Sequence, residues 1–125
     1  MKTIRIGQST PSRQLKRAAI AELRLSGIFD LSCDSLINRV ATEAIRDKVG
    51  TLLLNMHGVG FMDSQGLRVL VCLLKKLKPH GIEVALCALS PQVKVLFEIT
   101  SMDRLFDIYD SREALLPAKK EVPLA

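Results

Sequence analysis

The sequence predicts an α/β domain: a four- to five-stranded, mainly parallel sheet with about four helices, packed on one side of the sheet. Three observations carry this. Two apolar runs without alternation, Thr51–Met56 and Ile82–Leu89, have the character of strands covered on both faces. Between and after them, apolar residues recur at helical spacing. Strand and helix patterns then alternate along the chain, the order that parallel strands with right-handed crossovers require.

The elements follow in order. Residues 2–7 alternate Lys, Thr, Ile, Arg and Ile, as a short edge strand does, and 8–17 is a polar loop containing Pro11. Ala21–Leu25 alternates again and stops at a Ser26-Gly27 turn. Ser32 or Asp34 caps a helix whose inner face is Ile37, Val40, Ala41, Ala44 and Ile45, ended at Lys48-Val49-Gly50. The strand at 51–56 is followed by a helix with Leu67, Leu70, Val71, Leu74 and Leu77 on one face, ended by Pro79 and Gly81. After the strand at 82–89, Ser90-Pro91 sets a cap and a first-turn proline before Val93, Leu96, Phe97 and Thr100. Phe106–Tyr109 is a last short strand. Asp110 or Ser111 caps a final helix from Arg112 to about Leu116. Expected core residues are Val40, Ile45, Leu53, Leu70, Leu74, Val84, Leu86, Val93 and Leu96. Residues 1–117 form one domain, and 118–125 a charged tail expected to be disordered.

At 125 residues the chain is long enough for one real core, and at 48% hydrophobic, 4% aromatic and no Trp that core is aliphatic. No aromatic platform exists for stacking nucleic-acid bases, so direct nucleic-acid binding is not expected. The net charge of +5 is spread over separate groups: Arg13, Lys16 and Arg17; Lys75, Lys76 and Lys78; Lys119-Lys120. The middle group complements a helix C-terminus. Cys33, Cys72 and Cys87 lack CxxC spacing and read as buried free thiols of a reducing compartment. No signal-peptide core or membrane-length apolar run occurs, so a cytoplasmic protein without membrane insertion is expected.

Catalytic chemistry has little to stand on. The histidines are His57 and His80, and Gly-x-Ser-x-Gly is absent. A Ser64/His57 hydrolase is the only enzymatic alternative, and a non-enzyme without catalytic residues is expected. Asp30, Asp63 and Asp103 are scattered without metal-ligand spacing, and no Walker or GxGxxG pattern occurs, so neither metal nor cofactor is expected. The feature that remains is Gly60-Phe61-Met62-Asp63-Ser64-Gln65-Gly66-Leu67, a strand exit into a helix start. Such a turn sets a hydroxyl among outward-pointing, unpaired amides and can hold an anion or present itself to a partner. The Gly58–Gly60 stretch before it reads as backbone relief at a tight strand exit.

From Ala21 to Leu115 the chain resembles the STAS family (sulfate transporter and anti-sigma-factor antagonist). Leu25-Ser26-Gly27-Ile28-Phe29-Asp30 is similar to that family's L-x-G-x-L-D after its second strand. Leu53 through Leu67 is similar to the third strand and switch turn. Leu89-Ser90-Pro91-Gln92-Val93 opens a helix in the right place, and Leu96 through Phe106 resembles L-x-x-T-G-L-D-x-x-F. The resemblance implies a STAS-like fold and a non-enzymatic regulator of anti-sigma-factor-antagonist type in a phosphorylation-linked partner-switching pathway. It implies an anti-sigma factor or serine kinase of the switch type as partner, and a PP2C-type phosphatase as a further one. The residues it assigns to partner binding are Asp30, Met62, Asp63, Ser64, Gln65, Gly66 and Leu67. A STAS subunit of a membrane lipid or anion transport system is the alternative. Two positions depart from the family. Gln65 stands where the usual phosphoacceptor hydroxyl would be, leaving Ser64 as the phosphoacceptor candidate, and Asn55 stands where Asp is common.

Overall fold

A computed structural model describes residues 3–6 and 19–118, with side chains over 19–115. The loop expected at 8–17, its basic group, and the tail beyond Ala118 lie outside the described residues. Five strands form one sheet in sequence order: β1 (Thr3–Ile6), β2 (Ile20–Phe29), β3 (Thr51–Met62), β4 (Glu83–Cys87) and β5 (Asp107–Tyr109). β1 is an antiparallel edge strand on β2, and the remaining pairs are parallel. The helices are α1 (Asp34–Arg46), α2 (Ser64–Leu77), α3 (Pro91–Ile99) and α4 (Arg112–Ala118).

Strand order explains where the helices lie. Each crossover from β2 to β5 steps one strand in the same direction, and right-handed connections then put α1, α2 and α3 on one face. Leu23, Leu52, Leu54, Val84 and Leu86 point to that face and meet Val40, Leu70, Val93 and Phe97. The alternate residues Leu53, Ala85 and Cys87 point the other way and are covered by Leu115 of α4. The expectation of helices on one side therefore holds for three and fails for α4. The chain is free of a crossover once β5 is laid down, and it folds α4 back over the exposed apolar strip.

Several sequence expectations are corrected. Both β2 and β3 run past their expected ends, because the ladder continues through Ser26-Gly27 and Gly58 instead of turning: the register shifts between Arg24 and Ser26 and again between Gly27 and Ile28, each time with one extra residue on β3. A Cβ on Gly58 would lie 2.7 Å from the Ser26 Cβ, so glycine is what lets the two strands close there. Neither Ser32 nor Asp34 caps α1. Asp30 caps a 3₁₀ turn (Leu31–Cys33) leading into it. α1 ends on Lys48 in a left-handed conformation, φ 54°, with Gly50 already bonded to Ala19. Val40, Leu53, Leu70, Val84, Leu86 and Val93 are buried as expected, whereas Ile45, Leu74 and Leu96 are half-buried at the margin of the core. In α2 the inward stripe is Val69, Leu70, Leu73 and Leu77, which turns Leu74 aside and leaves Cys72 exposed. That helix is apolar nearly all round, so periodicity could not centre the stripe.

Candidate functional site

The turn between β3 and α2 is built by four contacts. Asp63, in extended conformation, is the N-cap: its Oδ1 accepts the Gly66 N–H at 2.8 Å. Ser64 is thereby relieved of capping. It occupies the first helical position, exposed, and its hydroxyl has no hydrogen-bond partner among the described residues. Gly66 sits against the end of β2, where a Cβ would come within 2.3 Å of the Phe29 carbonyl oxygen. Only glycine lets α2 start this close to the Phe29-Asp30 segment.

The third contact comes from a distant element. Gln92, at the start of α3, uses both ends of its amide on Met62: its Oε1 accepts the Met62 N–H at 2.9 Å, and its Nε2 donates to the Met62 carbonyl at 2.9 Å. The side chain thus imitates a neighbouring strand at the last residue of β3. The fourth is Asp30, whose Oδ1 accepts from both the Ser32 amide and its hydroxyl, fixing the turn beside the site.

The expected partner-binding residues therefore divide. Ser64 and Gln65 are exposed and Asp30 and Asp63 half-buried, while Met62, Gly66 and Leu67 are buried and shape the turn from beneath. The sequence argument missed the apolar residues around it. Ile28 is 63% exposed, Leu31 57% and Phe61 47%. Ile28 and Phe61 are direct ladder partners, and Leu31 opens the 3₁₀ turn capped by Asp30. Little in the sequence set them apart, since Ile28 stands beside the buried Phe29 and Phe61 beside the buried Met62. Gln92 gave no signal at all, since its partner is 30 residues away.

The geometry does not join Ser64 to His57. His57 lies within β3, and five further strand residues carry the chain on to Met62, roughly 16 Å of extended backbone. Among the described residues no helix is long and apolar enough to cross a membrane.

Comparison with known proteins agrees with this architecture. The STAS domain profile matches residues 14–115. An anti-sigma F factor antagonist of Paenibacillus polymyxa is 31% identical over 90 residues, covering 71% of this chain and 77% of that protein. The phosphorylated form of the Bacillus cell-fate determinant SpoIIAA superposes with a TM-score of 0.60 at 20% identity, over 93% of this chain and 99% of that one. A sulfate transporter family protein from Wolinella succinogenes gives a TM-score of 0.72 at 14% identity, over 80% and 84% of the two chains. Both superpositions are likenesses of fold. With the profile spanning four of the five strands and all three crossover helices, the chain belongs to the STAS domain family.

Proposed function

We propose that this protein is a non-enzymatic, cytoplasmic anti-sigma-factor antagonist that docks on an anti-sigma factor or serine kinase of the switch type. The observation that carries this reading is the exposed Ser64 hydroxyl set beside an apolar surface of Ile28, Leu31 and Phe61. Exposed apolar side chains grouped at a rigid turn suit a partner-binding patch. Met62, Gly66 and Leu67 hold that patch in shape, and Ser64 and Gln65 meet the partner.

Phosphorylation would act on the same surface. Gln65 offers no hydroxyl, and Ser64 does. A phosphoryl group at the first position of α2 is tolerated by the fold, because the amides of a helix start point toward it and the dipole favours negative charge. It also adds nearly two negative charges beside the Asp63 carboxylate and the apolar patch, which opposes docking. The likeness to an anti-sigma F factor antagonist supports the partner class, and a PP2C-type phosphatase would reverse the step. No observation favours the transport reading: its likeness is one of fold.

The test is incubation of the full chain with the serine kinase-type anti-sigma factor of the same genome and ATP, followed by mass spectrometry and a binding assay. Phosphate on Ser64, retained binding by Ser64→Ala and binding weakened about tenfold or more in Ser64→Asp are expected. Phosphate confined to Ser90, Ser101 or Ser111 would refute the switch. Undiminished binding after Phe61→Glu would refute the docking surface.

A further inference from the structure

On the sheet face away from α1–α3 a second constellation stands apart from the turn. A cleft of about 470 Å³ opens among β2, β3, the end of β4 and the start of α4, with Arg24, Asn55, His57, Ala88, Arg112 and the exposed Glu113 in its lining. Neither Asp63 nor Ser64 lines it. Its volume is that of a small-molecule pocket, and it lies toward the carboxyl ends of parallel strands, where α/β sheets hold ligands.

Behind Arg24, Asn55 and Arg112 lies one buried carboxylate. Glu22 is 2% exposed. Its Oε1 accepts the Arg112 Nε–H at 3.1 Å, and its Oε2 accepts from Arg24 Nε at 3.2 Å and Asn55 Nδ2 at 3.0 Å. Asn55 Oδ1 in turn accepts the His57 backbone N–H at 3.1 Å. Glu22 therefore holds two guanidiniums by their inner Nε edges and orients both. The Nη groups of Arg24 make no further hydrogen bond among the described residues, and Arg112 directs only Nη1 elsewhere, at 3.6 Å toward the exposed Glu113. Among the described residues two cations thus face one buried anion, and Glu113, on the rim of the cleft, is largely screened by solvent. Asn55 is essential to that balance. Asp there would place a second carboxylate against Glu22 and cancel the surplus charge. Ala88, in a left-handed conformation at φ 59°, carries the backbone out of β4 along the cleft wall.

We propose that this cleft binds a small oxyanion of the phosphate or carboxylate class, gripped by the Nη groups of Arg24 and by Nη2 of Arg112, with Nη1 of Arg112 exchanging the solvent-exposed Glu113 for the ligand. Guanidinium forks match both oxyanions in geometry and charge. Glu22 and Asn55 are positioning residues that preorganise the fork.

The test uses the ¹⁵N-labelled full chain, titrated separately with inorganic phosphate and with acetate at constant ionic strength. Saturable amide shifts at His57, Gly58, Ala88 and Arg112 are expected with one of the two, and the anion that produces them identifies the class. Arg24→Gln leaves Glu22 with Arg112 and Asn55, so the fold should persist while affinity falls about tenfold. Arg112→Lys keeps a cation near Glu22 without the fork and should also weaken binding. Saturation by neither anion, or unchanged affinity in both variants, overturns the proposal. Because Ser64 and its patch lie elsewhere, partner binding measured on the same variants separates this outcome from that of the docking surface.

Discussion

Asp63 and Ser64 are adjacent, both of residue types that cap helices, and the structure gives them different work. Asp63 holds the Gly66 amide, so Asp63→Ala should cost about 1 kcal/mol. Ser64 holds nothing in the fold, so Ser64→Ala should stay within about 0.5 kcal/mol of wild type. Urea unfolding of the two variants measures both, and equal losses would contradict this division. The sequence showed a turn with a hydroxyl at a helix start. Which residue capped it was not legible, because two capping types stood side by side. The need for Gly66 was equally hidden, since the atom it avoids belongs to Phe29 on another strand. Asn55 stood out in the sequence only as a departure. Its reason is Glu22, 33 residues earlier, whose burial is invisible until α4 is placed on the sheet.

At the scale of elements, the grip of α3 on the end of β3 has a measurable consequence. Gln92→Ala would leave the Met62 N–H and carbonyl without partners in a part-buried setting. A loss of about 1–3 kcal/mol is expected, with faster hydrogen exchange at the Met62 amide. An unchanged exchange rate there would show that the grip is dispensable. The existence and order of strands and helices were legible because continuous apolar runs and 3.6-residue spacing are local signals. The true lengths of β2 and β3 were not, because a bulge looks in sequence like a turn: both use Ser and Gly. The side on which α4 lies was also hidden, since it depends on which strip of sheet the three crossover helices leave bare.

For the whole molecule, the two faces of the sheet carry different chemistry. The second face buries Cys87, whose thiol is pushed up to about 11 from 9.0, first by burial and then by the Glu22 carboxylate. Between those values the unfolded chain releases this proton and the folded chain keeps it. The folded state then binds more protons, so stability falls as pH rises through that window. Well below pH 9 the thiol is neutral in both states and contributes no pH dependence. The urea midpoint of wild type should therefore drop more steeply from pH 9 to about 11 than that of Cys87→Ala. Parallel profiles would contradict the shift. The amide of Gln92 also bears on how the chain is made. The last residue of β3 waits for a side chain synthesised 30 residues later. At ordinary translation speeds that interval is roughly 2–6 s. Throughout it, a nascent chain carries Ser64 and Phe61 outside the ribosome without the bracket that sets their geometry, so a competent docking surface arises only after α3 has emerged.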